Sequence, residues 1–525
     1  MLIGQSKRPP AGGFNPGNSF QRCIVSSRQI LVANAYRAVR SGEQPSRIDI
    51  LIEGDRIVAT ADPRTGNRLA LTGPGERIDA SGLVALSGMV NAHVHSNEAF
   101  ERGLYRSLPL ERWLARSYPP LGAPPVPARW HYLRAMLVAC DAIHSGTVAL
   151  QDDFLNPGCD HDALDQVAQA WSDSGLRVSL ATTLGDRPYL DGLPFAREMC
   201  EPELARALDE RVAQPLSVQV DFFKAAHRRW QGAGSGRIGL MLGPRGPQRC
   251  SDELLGAVAR LSAEHDCAVH MHVLETRTQH AASRAQAGGG FFRRLKRAGL
   301  MTPRFTINHA VWVDDDDIRA IADAGACVTH NPLSNQRLGS GTSPVRRLRA
   351  AGVAVALGSD GPATGDTACM VAVLRAASLL HRDPDSPPDT WLGPDDAWQM
   401  ATTSGARSMR LPAAWGALEA GAPADLILLD AGHRSLVPHH DTVAQFALAA
   451  GADLVDSVIV AGQIVMRAGG IKAFDEARLL EEAREAGAQW QDWMVKAGET
   501  SGIRLDPLIQ RVLDRVRGDA MSGAH

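Results

Sequence analysis

The stretch Leu83-Val84-Ala85-Leu86-Ser87-Gly88-Met89-Val90-Asn91-Ala92-His93-Val94-His95-Ser96 decides how the rest of the chain is read. Its apolar run, Leu83 to Val90, reads as a buried strand that breaks just after His95. Side chains alternate faces along a strand, so residues two apart point the same way. His93 and His95 therefore project side by side from one strand end. Two neutral imidazoles so placed are half of a tetrahedral or trigonal-bipyramidal divalent-metal site. For an isolated His-x-His, a pair of surface histidines near a turn is the better reading. The remainder of the chain has to discriminate.

Outward from this strand the pattern repeats. Short apolar runs end in polar residues and are followed by helical stretches: 84–94, 147–151, 177–183, 238–242, 268–273, 305–310, 326–329 and 353–357. Helices fit between them, such as 251–265 with Ser251 as N-cap, and 314–324. Eight strand–helix units predict an α/β chain folded as a (β/α)8 TIM barrel over 86–412, with function where strands end and loops begin. Residues 28–85 and 413–475 read as short strands and turns, and are expected to join into one small β-sandwich domain. Residues 1–27 read as a flexible arm and 476–525 as a helical extension, a peripheral helix pair suited to an oligomer contact.

The strand ends carry the chemistry. The first offers His93 and His95, the fifth His272 with Glu275 just beyond, the sixth His309, the seventh His330, and the eighth Asp360. The expected ligand set is His93, His95, His272 and Asp360. Three imidazoles and a carboxylate suit zinc, iron or manganese and leave a position for water. One divalent ion per subunit is expected, zinc foremost. Asp360 is the candidate base, Glu275 the proton carrier to a leaving group, and His309 an electrophile or supporting donor. The fourth strand ends at Gly243-Pro244 without a lysine, so no carboxylated bridge is available and a mononuclear site is expected.

Other residues have plainer readings. His270, two before His272, suits a hydrogen-bonded core position. His330 is balanced between shaping its loop and touching substrate. Asp314 to Asp317 suit a helix cap, and Gly288 to Gly290 a flexible loop. His144, His161, His227 and His280 are expected to face solvent.

Composition narrows the class. The chain has 525 residues, 44% hydrophobic and 22% charged, with a formal net charge of −3, so neither nucleic acid nor an acidic membrane surface is indicated. No apolar stretch is long enough to span a membrane, and the N-terminus lacks a signal-peptide core. Eight cysteines without a C-x-x-C pair read as reduced thiols of a cytoplasmic protein. A homo-oligomer, dimer or higher, acting on a small molecule is expected.

The ordered motifs 87–95, His272-Val273-Leu274-Glu275-Thr276, Asn308-His309-Ala310-Val311-Trp312, His330-Asn331-Pro332-Leu333-Ser334-Asn335 and Gly358-Ser359-Asp360-Gly361 resemble those of the amidohydrolase superfamily. The match is to the branch holding cytosine, guanine and methylthioadenosine/adenosylhomocysteine deaminases with the chlorotriazine hydrolases, and spans roughly residues 28–475. The resemblance implies a mononuclear centre on the residues named, with His309 and Glu275 catalytic. The chain departs from that pattern at Ser87-Gly88, at 96–100 and at 244–250, where substrate-facing loops lie.

The expected activity is metal-dependent hydrolysis of a C–N bond by an activated water, foremost deamination of an amino-substituted N-heterocycle. Alternatives are an amide, urea or carbamate hydrolase, a hydrolytic dehalogenase, or a non-catalytic metal- or ligand-binding scaffold. Glu275 favours deamination, because ammonia and ring nitrogens need protons. Asn97, Glu98, Trp113, Arg245, Trp312, His330 and Asn335 are the candidate substrate contacts.

Overall fold

A computed structural model describes residues 28–118, 123–210, 213–285 and 289–521; the expected N-terminal arm, residues 1–27, lies outside them. Eight parallel strands form a barrel, each hydrogen-bonded to the next in chain order. They are Met89–Val94, Thr147–Asp152, Arg177–Leu184, Ile238–Pro244, Val269–Val273, Phe305–His309, Cys327–His330 and Ala354–Leu357. Most of their residues are buried, as a parallel sheet covered by helices requires. The first and eighth meet at the seam, where the Asp360 N–H donates to the His93 carbonyl at 3.0 Å. The intervening helices carry their own start signals. Ser251 caps Asp252–Glu264, and Asp314 with Asp317 forms a capping box on Asp315–Asp323.

Both ends of the barrel sequence feed a second, mixed sheet of nine strands. Leu83–Ser87 pairs antiparallel with Leu426–Asp430 and so joins the N-terminal strands to the C-terminal ones. The sheet curls until Arg56, on its far edge, bridges to Pro423. Ile48, Ile50 and Ile52 then share a core with Leu426, Leu428 and Ile459. Arg177 of the third barrel strand makes an ion pair with buried Asp425 at 2.9 Å, tying the two sheets together.

The apolar run 83–90, read above as one strand, is two. Leu83–Ser87 belongs to the mixed sheet and Met89–Val94 to the barrel. Gly88 alone separates them, and a Cβ there would stand 2.2 Å from Val148 Cγ1. An unbroken hydrophobic pattern cannot reveal a change of partner. Gly88→Ala is expected to destabilise the fold by about 1–3 kcal/mol, through overpacking against the second barrel strand. Urea denaturation checks this; an unchanged midpoint would show that the junction yields freely.

The C-terminal helices, Glu476–Ser501 and Asp506–Met521, are not peripheral as expected. Trp490 is buried against Phe100 and Trp130, and its Nε1–H donates to Glu101 at 3.0 Å. In the second helix, Leu508, Val512 and Val516 pack with Leu190, Ala196 and Leu208. Asp506 accepts from Arg112 and Arg116. The extension thus braces the loops that follow the first and third barrel strands. Among the described residues, no helix is long and apolar enough to cross a membrane.

Candidate active site

Four groups from the first, fifth and eighth strand ends converge. His93 Nε2 and His95 Nε2 each lie 3.3 Å from Asp360 Oδ1, and His95 Nε2 lies 3.2 Å from His272 Nε2. His93 Nε2 has no hydrogen-bond partner among the described residues. Around a tetrahedral ion bonded at about 2.0–2.1 Å, neighbouring ligand atoms stand roughly 3.3 Å apart. The spacing is therefore that of a coordination polyhedron, and the donor set fits a divalent ion.

The opposite face of each ring is held. His93 Nδ1 meets His270 Nε2 at 2.7 Å, and His95 Nδ1 meets the Asp153 carbonyl at 2.7 Å. His272 Nδ1 lies 3.5 Å from Asp153 Oδ2. Such outer contacts fix the rings with Nε2 pointing inward.

Electrostatics agrees with this arrangement. Burial pushes the His93, His270 and His272 imidazoles well below their usual range, which leaves neutral rings with free lone pairs. His95 runs the other way. Burial lowers it, but Glu98, Asp360 and Asp153 outweigh that and raise it to about 9. The potential that holds a proton there would equally draw a metal cation. Burial pushes Asp360 up, yet His93, His309 and His95 pull it well below the usual carboxylate range.

Glu275 and His309 complete the centre. Glu275 is buried, and burial together with Asp360 and Glu111 drives its carboxyl well above the usual range. Its Oε1 has no partner among the described residues, and its Oε2 lies 3.8 Å from His309 Nε2. The same His309 nitrogen is 3.8 Å from Asp360 Oδ2. His309 Nδ1 pairs with Asn335 Oδ1 at 2.8 Å, so the buried neutral ring turns an Nε2 lone pair toward both carboxyls. His309 and Asp360 hold positive φ, 71° and 60°, and Leu274 before Glu275 has 52°. Strain of this kind persists where the surrounding structure over-determines it, often at active sites.

The seven candidate substrate contacts divide. Glu98 is brought to the centre. The helical turn Ser96–Glu101 swings it back against Gly361, where any Cβ would clash with its carboxylate. Tyr118 donates to it at 3.1 Å, and burial raises it to about 8. Asn335 reaches the centre through His309, and Asn97 lies in the same loop as Glu98. Arg245 extends past Gly185 beside the fourth strand end. Trp312 is anchored to the Ser340 carbonyl at 2.9 Å with Arg277 above its ring. Two are turned elsewhere. His330 Nε2 faces His381 Nε2 at 3.1 Å, and Trp113 is buried beside Leu338 and Ala363.

Asp152 and Asp153 went unread in the sequence. Asp152 accepts from the Ser96 N–H, the Ser96 hydroxyl and the Trp171 indole, and so sets the loop after His95. Two adjacent carboxylates closing an apolar strand were the available signal.

A profile of the amidohydrolase family matches residues 84–465. A 5-methylthioadenosine/S-adenosylhomocysteine deaminase of Desulforudis audaxviator is 34% identical over 455 residues, covering 87% of this chain and 97% of the relative. A 5'-deoxyadenosine deaminase of Methanosarcina mazei is 32% identical over 412 residues, covering 78% and 88%. Among solved structures, a zinc-bound adenosine deaminase from Xanthomonas campestris superposes with a TM-score of 0.76 at 24% identity, covering 89% of this chain and 99% of its own. The zinc complex of atrazine chlorohydrolase from Arthrobacter aurescens also gives 0.76 at 24%, covering 87% and 100%. At that identity the two structures speak for the fold.

Proposed function

The chain belongs to the amidohydrolase family, and on that footing we propose that it is a metal-dependent hydrolase that deaminates an amino-substituted N-heterocycle. The observation that carries this reading is the Glu275 carboxyl, buried with an unpaired oxygen beside the convergent His93, His95, His272 and Asp360. An amide bond needs a proton only at its leaving nitrogen, whereas an amino-heterocycle needs one on the ring nitrogen before its carbon accepts water. A buried carboxyl that holds its proton to higher pH than an ordinary glutamic acid supplies that proton.

His93, His95, His272 and Asp360 would hold a divalent ion, zinc in this reading, which would supply a water of lowered pKa as nucleophile. Glu275 protonates the ring nitrogen as the water oxygen bonds to carbon. Asp360, held ionised by its histidine neighbours, accepts the water proton. His309 Nε2, between the two carboxyls, carries protons from Asp360 toward the departing amine. The C–N bond breaks and ammonia leaves, the hydroxyl proton returns to Glu275, and the ring retains an oxo group. Asn335 keeps His309 in register through Nδ1.

Assays that separate ammonia release from organic-amine release across amino-purines, amino-pyrimidines and amino-triazines test the reading. Ammonia from at least one class is expected. Release only of an organic amine from amides, ureas or carbamates would replace deamination with the alternative hydrolysis.

A further inference from the structure

Arg245 follows the fourth barrel strand directly, and its side chain runs over Gly185, whose Cβ would stand 2.9 Å from Arg245 Cδ. It is exposed to solvent, yet its surroundings are protein: burial lowers the guanidinium to about 10. Gly243, two residues earlier at the same strand end, lies so close to Asp153 that a Cβ there would stand 2.9 Å from Asp153 Oδ1, so Arg245 lines the recess at the barrel mouth beside that carboxylate. Its charge acts on Asp153, beside the His95 and His272 ligands, and on Tyr118, which bonds Glu98. The recess therefore adjoins the catalytic centre.

The Arg245 N–H donates to the Leu184 carbonyl at 2.9 Å, but its guanidinium makes no hydrogen bond or ion pair with another described residue. Asp153, the carboxylate that feels it, faces His272 instead. Arg249 adds a second positive charge close by. Arg249 is itself engaged, donating to the Tyr189 carbonyl at 2.9 Å and lying 4.5 Å above the Tyr189 ring. Glu111, which also acts on Tyr189, is taken up by the Thr276 hydroxyl at 2.7 Å, and burial raises the Glu98 and Glu275 carboxyls toward their neutral forms. A neutral ring closing over this exposed guanidinium would strip its water and give it no hydrogen-bond partner, an arrangement that buried charges avoid. A guanidinium fork in such a place matches a pair of anionic oxygens.

We propose that Arg245 is the subsite for an anionic oxygen pair on the substrate, which makes that substrate an amino-heterocycle bearing a carboxylate or ionised ring-oxo groups. The inference rests on the deaminase reading for its amine. The anion subsite lies at the arginine end of the recess and the exocyclic amine points to the metal ligands and Glu275.

Calorimetric titration of the metal-loaded enzyme with ring compounds that lack the amine tests the subsite apart from turnover. Neutral uracil and lumazine are compared with carboxylated orotate and lumazine-6-carboxylate, and neutral hypoxanthine with the ionised ring-oxo compounds urate and barbiturate. At least one anionic member is expected to bind about tenfold or more tightly than its neutral counterpart. Arg245→Gln should erase that margin while leaving the neutral compounds unchanged, and Arg245→Lys should keep part of it. A thermal melt and the metal content of each variant show that the fold is retained. The carboxylate and ring-oxo arms identify which source of oxygens the site takes. Equal or undetectable binding within every pair, or a margin that survives in Arg245→Gln, overturns the proposal. Ammonia release equal from neutral and anionic amino-heterocycles overturns it too and leaves deamination standing. An Arg245-dependent margin without ammonia release leaves the subsite standing and removes deamination.

Discussion

Asp360→Asn lowers kcat by about a thousandfold or more, the combined loss of a general base and an anionic ligand. Asp360 Oδ1 lies 3.3 Å from both His93 Nε2 and His95 Nε2, while Oδ2 lies 3.8 Å from His309. In the proposed mechanism one carboxylate serves two purposes: a ligand edge on one oxygen and a proton acceptor on the other. Asparagine keeps the volume but cannot take the proton. Steady-state rates measured with added metal, beside elemental analysis of the protein, separate the two losses. If the variant with its full metal complement turned over at the wild-type rate, Asp360 would not be the base.

Glu275→Gln is the complementary case. Glu275 is not among the four convergent donors, so metal stoichiometry should stay unchanged while kcat falls by about a hundred- to ten-thousandfold. The sign of the pH dependence follows from the direction of its shift. A carboxyl held well above its usual range keeps its proton to higher pH than an ordinary glutamic acid, so the wild-type rate is expected to decline on the alkaline side as the acid form is lost. The variant's residual rate should lack that limb. A variant that lost its metal, or kept the alkaline limb, would assign the proton elsewhere.

Much of this centre was legible from residue order, for a physical reason. Strand period and strand ends are local features, so His93, His95, His272, His309 and Asp360 could be placed at equivalent positions of a repeating unit before any contact was known. What escaped reading depends on contacts between distant segments. Asp153 matters because its carbonyl and carboxylate reach His95 and His272, contacts that the paired carboxylates at its strand end mark but do not specify. The break at Gly88 is invisible because both flanking strands are apolar. The C-terminal helices show an ordinary amphipathic pattern, and only the fold reveals that Trp490 and Asp506 engage Glu101, Arg112 and Arg116. At His330 the strand end left loop shaping and substrate contact in balance, and its Nε2 lies 3.1 Å from His381 Nε2, a partner 51 positions away that residue order does not show.

The strand that bears His93 and His95 leaves the mixed sheet through one glycine, and that sheet is completed by Leu426–Asp430. The paired residues Leu86 and Ile427 lie roughly 340 positions apart, and such non-local pairing forms slowly. The anchorage of the first barrel strand thus waits for the opposite end of the chain. Asp360 adds the same delay, because its backbone bond to His93 closes the barrel seam. Ion uptake is then a late event in folding, and metal occupancy becomes a reporter of chains that have finished assembling.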